Sequence, residues 1–344
     1  MISWVECVPN FSEGRERSVI ERISNAIEST PDTRLLHIDP GLDANRTVIT
    51  FAARPDTAVE AGFRAIATAA ELIDMRRHSG AHRRIGATDV FPFVPLENTT
   101  FDMCIELAKK LASRVAEELR IPVYLYGKAA AHPNRTQIPN IRKGGYEALR
   151  QRITRPDFKP DFGDVHLPPK QGATIIGVRD FLVAYNINLG TMSVASAKSI
   201  ARAVRESGVP VRDSRGRLVR NAKGEIERTP GQLKAVQADG WLMPSYGVAQ
   251  VTMNLLDFHQ TGLHTAFEAV KGEAEKLGIG LDGSEIIGLV PKAAILEAGK
   301  YYLERQTTDT MDEEKLIVAA IDHLGLSAVK TFRPASKIVE MVLN

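Results

Sequence analysis

The chain has 344 residues, of which 44% are hydrophobic and 25% charged, with a formal net charge of +2. That length suits two domains or one large one, and that balance is globular, with enough apolar material for a core without metal or disulfide staples. The small net charge gives no global field for nucleic acid or a membrane surface, and Cys7 and Cys104 read as reduced thiols rather than a disulfide framework. No basic stretch followed by an apolar run opens the chain, and nowhere do 18 apolar residues run together. The expectation is a cytoplasmic enzyme or binding protein, with neither membrane nor nucleic acid as partner.

In chain order, residues 4–8 read as a strand and 9–14 as a turn-rich loop. Val19, Ile20, Ile23, Ala26 and Ile27 recur at helical spacing over 18–29. Strands are expected at 33–39, ending in Asp-Pro-Gly, and at 46–53. The alanine-rich stretch 55–76 predicts a long helix, and 78–86 a loop. A strand at 88–93 runs into Val94-Pro95, followed by a helix over 100–119 and a strand at 123–126. Residues 133–140 read as a loop, 143–152 as a short helix and 155–173 as irregular chain. Strands at 175–178 and 182–188 bracket Arg179-Asp180.

A helix is expected over 193–207. The segment 212–230, dense in Arg, Lys, Asp and Gly, reads as an exposed hairpin or mobile loop. Short strands follow at 234–236, 241–243 and 249–254, then a helix over 264–277, a strand at 284–289 and helices over 292–305 and 312–324. Two patterns recur between the halves. The run from Gly86 to Pro95 precedes one helix, and the run from Gly283 to Pro291 precedes another. Strand 46–53 with its helix resembles strand 249–254 with its helix. The expected fold is α/β (α+β): two related subdomains, each a sheet backed by helices, with the active site in the crevice between them. The boundaries are placed at 1–178 and 179–330, with a C-terminal tail over 331–344.

The chemistry concentrates in RRHSGAHRRIGATD. His78 and His82 are four apart, the spacing of helix-borne zinc ligands, but Gly80 separates them and no glutamate follows His78, so the zincin pattern fails and no metal is expected. Packing or local capping accounts for either histidine as readily as catalysis. What favours His82 is its company: Arg76, Arg77, Arg83 and Arg84 disfavour an imidazolium and so favour a neutral base. Arginines also clamp carboxylates, which points to small anionic substrates. Asp39 lies at a strand end, where sites assemble in α/β folds, yet an Asp before Pro-Gly is also ordinary turn chemistry. The loop from Pro9 to Gly14, with Asn10, joins a strand to a helix, and its amides suit an anion. It is neither a Walker A loop nor GxGxxG, and no GxSxG elbow is present.

Seven stretches occur together in order: VECVPNFSEGR, LLHIDPGLDANRTVITF, LIDMRRHSGAHRRIGATDVFPFVP, AEELRIPVYLYG, PDFGDVHLPPKQGAT, FLVAYNINLGT and AQVTMNLLDFHQTGLHTAFEAV. In these the chain resembles the formiminotransferase family, from about Val5 to the C-terminal helices. The resemblance implies transfer of a formimino group from N-formimino-L-glutamate to N5 of tetrahydrofolate, a co-substrate, in histidine degradation. It implies His82 as catalytic acid and base. It implies a folate-binding stretch on Asp161, Phe162, Gly163, Asp164, Val165, His166, Leu167, Pro168, Pro169 and Lys170, with Gly172 just after. Asp164, Val165, His166 and Leu167 depart from the proline, small residues and aromatic expected of the vertebrate form. Asn10, Asn45, Arg46, Arg83 and Arg84 are assigned to substrate, and Asp39 to orienting His82. The family implies a homodimer, and a stand-alone bacterial-type chain whose product needs a separate cyclodeaminase. Formyl exchange between 5-formyltetrahydrofolate and glutamate, a non-catalytic folate-binding role and, more remotely, a metal-dependent hydrolase stay open at this level.

Overall fold

The computed structural model describes residues 3–96, 98–304 and 312–343, which divide into two units between Asp180 and Phe181. The first unit opens with β1 (Val5–Cys7) and β2 (Asn10–Phe11), one extended run interrupted at Val8-Pro9. Pro9 has no N–H for a ladder, and its carbonyl accepts from the Ile49 N–H at 3.0 Å. Then come α1 (Arg17–Glu28), β3 (Thr33–Gly41), β4 (Arg46–Ala53), α2 (Pro55–Leu72), β5 (Thr88–Pro95), α3 (Phe101–Glu118) and β6 (Val123–Gly127). The short α4 (Ile138–Ile141) and α5 (Gly145–Arg152) precede β7 (Thr174–Val178). The sheet order is β3-β4-(β1, β2)-β5-β7-β6. Pairs from β3 to β5 are antiparallel, and β7 runs parallel to both β5 and β6.

Alternation along the strands decides the two faces of this sheet. Val5, Cys7, Phe11, Ile49, Phe51, Phe91 and Phe93 join the main core with residues of α1, α2 and α3. Glu6, Asn10, Val48 and Thr50 alternate with them and take the other face. The register sets Asp39 opposite Val48 and His37 opposite Thr50 on that face. At the β5–β7–β6 end the same face carries a smaller core, where Val90, Tyr124 and Ile175 meet Ile141, Leu149 and Phe158. The loop expected at 133–140 holds α4 and a 3-10 turn at Pro133–Arg135. The helix expected to reach 76 stops at Leu72, and Met75 instead donates its N–H to the Lys170 carbonyl at 2.9 Å.

The second unit comprises β8 (Val183–Leu189), α6 (Val194–Val204), β9 (Val209–Pro210), β10 (Arg228–Thr229), β11 (Val236–Met243), β12 (Val248–Leu255), α7 (Leu263–Glu275), β13 (Leu281–Ile287), α8 (Lys292–Leu303), α9 (Glu313–Leu324), α10 (Pro334–Lys337) and α11 (Val339–Leu343). Its main sheet runs β11-β12-β8-β13, antiparallel throughout. The two strands expected at 234–236 and 241–243 are one strand, β11. Gly240 in its middle is no break: a Cβ there would stand 2.4 Å from the Lys198 backbone nitrogen, so glycine lets α6 lie directly on the strand. The strands that bracket Arg179-Asp180 do not pair, since β7 belongs to the first sheet and β8 to the centre of the second. Phe332 and Ile338, within the stretch expected as a tail, belong to the second unit's core, and Val339 is buried beside Ile338. Arg305, expected to end a helix, lies outside the described residues.

Both units repeat one chain path. Strand, helix, two strands, helix and strand give the order β3-β4-(β1, β2)-β5 in the first and β11-β12-β8-β13 in the second. This is the split β-α-β arrangement of ferredoxin-like folds, with β7 and β6 added beyond β5 in the first unit. The basic segment after β9 is ordered as two successive hairpins with the same turn. Asp213 Oδ1 accepts from the N–H groups of Arg215 and Arg217, and Asn221 Oδ1 accepts from those of Lys223 and Glu225. Arg212 and Arg220 each cap their own turn at 2.6 Å, on the Gly216 and Gly224 carbonyls. Among the described residues no helix is long and apolar enough to cross a membrane.

Candidate active site

The loop between α2 and β5 is anchored by Asn45, a residue in the left-handed region (φ 46°). Its Oδ1 accepts from the Gly14 N–H at 3.0 Å, its Nδ2 donates to the Ser79 carbonyl at 3.0 Å, and its own carbonyl meets His78 Nε2 at 2.8 Å. Three loops are thereby joined at one side chain. Arg84 completes the frame. Its guanidinium forks onto Glu147 at 2.8 and 3.0 Å, and its Nε donates to His78 Nδ1 at 2.9 Å. Because Arg84 can only donate, His78 Nδ1 accepts and the ring proton sits on Nε2. Burial leads in holding the His78 pKa down, with the bond to Asn45 opposing and Arg84 adding to the lowering. Asn45, Arg84 and His78 are thus fastened within the protein and shape the loop.

His82 stands at the tip of that loop, half-buried, with Nδ1 2.6 Å from the Arg83 carbonyl oxygen. A carbonyl only accepts, so Nδ1 carries the proton and the neutral ring's lone pair lies on Nε2. Burial depresses the pKa of His82 well below the ordinary histidine value. Arg46 and Arg142 push it further down, while Asp89 and the bond to Arg83 oppose. A neutral imidazole with a basic Nε2 is the form a general base requires. Arg83, exposed beside it, leaves its guanidinium on the surface.

Beneath His82 lies a buried charge cluster. Asp89 occupies the slip in register where β2 meets β5, since Asn10 faces Val90 and Phe11 faces Thr88. Such a bulge re-aims a side chain out of the alternation. The Asp89 carboxylate is fully buried and takes a hydrogen bond from the Ile85 N–H at 3.0 Å, an ion pair from Arg142 Nη2 at 2.6 Å and one from Arg46 Nη1. Burial alone would raise its pKa. Arg142, Arg46 and His82 outweigh burial and hold the pKa at about 2. Arg46 also donates through Nε to Asn10 Oδ1 at 3.0 Å, and burial leads in bringing its own pKa down to about 10. The two arginines are therefore bound to a carboxylate and act on His82 as fixed positive charges.

Asp39, expected to orient His82, lies on β3 with Oδ2 3.7 Å from His37 Nε2. The expected folate-binding stretch divides into braces and an exposed tip. Asp161 is clamped by the Leu125 N–H and Arg135, both at 2.7 Å, and the Phe162 carbonyl accepts from the Val123 N–H. Gly163 has φ 82°, and a Cβ on it would stand 3.3 Å from that of Ala116. Asp164, Val165 and His166 are exposed, and Leu167 packs on the smaller core. The Pro168 carbonyl accepts from the Gly172 N–H, and the Pro169 carbonyl from the Tyr146 hydroxyl at 2.6 Å. Lys170 reaches the Glu71 carbonyl. Gly172 (φ 73°) bridges to Gly86, and a Cβ on it would lie 2.3 Å from the Ile85 oxygen. That contact ties the stretch to the backbone that follows His82.

The site also draws on charges that no sequence pattern singles out: the buried Asp89 and Glu6 and the half-buried Arg142. Asp89 sits at the head of an apolar strand, a placement that signals a paired carboxylate. Arg142 follows a short loop with no pattern of its own. Glu6 sits inside the apolar run of β1, is only 2% exposed, and has an Oε2 without a hydrogen-bond partner. Burial pushes its pKa up to about 7 against the pull of Arg179. Among the described residues, no three His, Cys, Asp or Glu side chains stand together as a metal set requires.

Residues 4–179 match the formiminotransferase domain, N-terminal subdomain, and residues 184–344 match the formiminotransferase domain. The chain is similar to the formimidoyltransferase-cyclodeaminase of Rattus norvegicus, at 43% identity over 343 residues, all of this chain and 60% of that protein. It spans about that share of the other long relatives from Dictyostelium discoideum and Mus musculus. It is also similar to the glutamate formimidoyltransferase of Thermoplasma acidophilum, at 42% identity over 88% of this chain and 93% of that protein. The Streptococcus pyogenes glutamate formimidoyltransferase is 36% identical over 90% of this chain and 96% of its own length. With both subdomain matches in order and relatives of its own length, this chain belongs to the formiminotransferase family.

Proposed function

We propose that this protein moves the formimino group of N-formimino-L-glutamate to N5 of tetrahydrofolate, giving 5-formiminotetrahydrofolate and L-glutamate. The observation that carries the reading is the state of His82: Nδ1 holds its proton on the Arg83 carbonyl, while burial first and the charges of Arg46 and Arg142 second keep the ring neutral. The N5 amine adds to the formimino carbon, and His82 Nε2 removes the N5 proton as the tetrahedral intermediate forms. The resulting imidazolium is a strong acid because burial, with Arg46 and Arg142 adding to it, destabilises it. It returns the proton to the glutamate nitrogen as the C–N bond to that nitrogen breaks. One histidine thus serves as base and then acid, with no net change in the enzyme.

Tetrahydrofolate enters as a co-substrate. In this reading the exposed tip at Asp164, Val165 and His166 is the ligand-facing part of the folate-binding stretch, and the residues on either side hold it in place. Arg83 meets a substrate carboxylate, since Arg46 and Arg84 are already paired. Incubating the purified full chain with both substrates tests the reading by mass spectrometry. One formimino-folate should appear for each glutamate released. Release of glutamate without a formimino-folate, or no turnover, would refute it.

A further inference from the structure

The basic segment after β9 repeats a short pattern. Arg212-Asp213 and Arg220-Asn221 each open a turn that closes at Gly216 or Gly224, and Arg228 follows at the same spacing. The backbone of the segment closes on itself. The Val211 N–H donates to the Glu227 carbonyl at 2.9 Å, Val219 to Val211 at 3.0 Å, and Glu227 to Val219 at 3.0 Å. Three extended pieces thus hold one another. At their base Gly208 (φ 53°) lets β9 and β10 press together, since a Cβ there would stand 1.8 Å from the Thr229 oxygen. Arg212 is thereby held at the root of the first hairpin, beside the end of α6.

There a cavity of about 410 Å³ is lined by Arg202, Arg205, Val209, Pro210 and Arg212. That volume is the size of a small-molecule site. Arg202 lies in the last turn of α6 and Arg205 is its C-cap, where a helix end favours cations. The helix end does not account for Arg212, which the hairpin brings from another direction. Among the described residues none of the three pairs with a carboxylate. Arg205 donates to the Gly208 and Ala238 carbonyls at 3.2 and 3.4 Å, and Arg212 to the Gly216 carbonyl at 2.6 Å. These acceptors are neutral, so the positive charge is not cancelled. Arg217 differs, with Asp213 at 2.9 Å. Burial first, then Arg228 and Arg202, hold the Arg205 pKa below the usual arginine value, against the pull of Asp239.

We propose that this cavity binds a small phosphate monoester, with the three guanidinium groups on its phosphoryl oxygens. Cations that converge from two elements need an anion that can accept from each of them. A phosphoryl group offers three strong acceptor oxygens and nearly two negative charges at pH 7, whereas a planar carboxylate offers two oxygens and one charge. Val209, 44% exposed, and Pro210 leave apolar surface beside the arginines for the organic group esterified to the phosphate. Every lining residue belongs to the second unit, and none is shared with the His82 loop or the expected folate-binding stretch. The site is independent of the proposed transfer chemistry.

Calorimetric titration of the full chain with phenyl phosphate, inorganic phosphate and benzoate, at one ionic strength, tests it. Phenyl phosphate should bind once per chain and about tenfold or more tighter than benzoate, the worth of a further charge-assisted hydrogen bond. Inorganic phosphate should bind more weakly than phenyl phosphate, because Val209 and Pro210 then stay uncovered. Arg202→Gln and Arg212→Gln should each weaken phenyl phosphate by about tenfold. Arg215→Gln, at an exposed hairpin arginine outside the cavity, should leave the affinity unchanged. Arg202 is exposed, so its replacement leaves the fold intact, which thermal unfolding checks. Should Arg212→Gln loosen its turn, Val209→Glu puts a carboxylate into the cavity and should abolish binding. Unchanged affinity in Arg202→Gln places the ligand elsewhere and overturns the inference. So does equal binding of benzoate or of inorganic phosphate. An equal loss in Arg215→Gln also overturns it, since the attraction would then belong to the basic segment as a whole.

Discussion

His82 Nδ1 lies 2.6 Å from the carbonyl oxygen of Arg83, the next residue in the chain. The backbone of the loop thereby holds a proton on Nδ1. Replacing His82 by alanine should lower kcat by about a hundredfold to ten-thousandfold, the usual worth of a general acid–base group. Steady-state kinetics with KM largely retained would show that the loss lies in the chemical step. An unchanged kcat would remove His82 from the mechanism. Since its pKa is held well below 6.5, kcat/KM should stay flat from pH 8 down past 6.5 and fall only at lower pH.

Asp89 balances Arg46 and Arg142 in a fully buried place. Asp89→Asn leaves two buried guanidinium groups facing each other and should cost about 3–5 kcal/mol in urea unfolding. The pH dependence follows from its lowered pKa. The folded value is about 2 against an ordinary 3.8, so the stabilisation is complete above about pH 4 and disappears as pH falls through 2. A variant as stable as the wild type at pH 7 would contradict this role.

Arg83 and Arg84 are neighbours with opposite duties. Arg84 holds Glu147 and His78, so Arg84→Ala should destabilise by about 1.5–3 kcal/mol. Arg83 is exposed, so Arg83→Ala should change stability by less than about 0.5 kcal/mol. Its effect should appear as a raised KM for N-formimino-L-glutamate. Thermal unfolding and kinetics on the two variants check the contrast, and equal stability losses would contradict it.

Glu6 gives the opposite pH sign to Asp89. Its folded pKa is raised to about 7, so the folded state holds a proton that the unfolded chain releases near 4.5. The stabilisation is full below pH 4.5 and is lost as pH rises through 7, amounting to up to about 3 kcal/mol. Glu6→Gln should flatten that slope between pH 5 and 8 in urea unfolding series. A slope equal to that of the wild type would place the titration elsewhere.

Much of the chain path was legible because the apolar periods are regular. The strand expected at 46–53 coincides with β4, and the recurrence between residues 86–95 and 283–291 marks the shared topology of β5 and β13. Misreadings arose where tertiary contact overrides local pattern. Gly240 looked like a break because nothing in the sequence tells that α6 presses on it. The loop arginines looked alike, yet Arg84 turns inward to Glu147, a residue 63 positions on. Asp89 and Arg142 were missed for the same reason: their pairing spans 53 residues and leaves no local spacing. Asn45, expected at the substrate, also joins three loops, a role visible only once the loops meet.

Catalysis by His82 as proposed requires a neutral ring at working pH, protonated on Nδ1. Nitrogen NMR of the full chain labelled in histidine, titrated from pH 8 to 5 with His82→Gln used to assign the resonance, measures this directly. The expected result is an Nδ1–H tautomer that persists well below pH 6.5. A His82 ring that titrates at or above 6.5, or one that carries its neutral proton on Nε2, would contradict it.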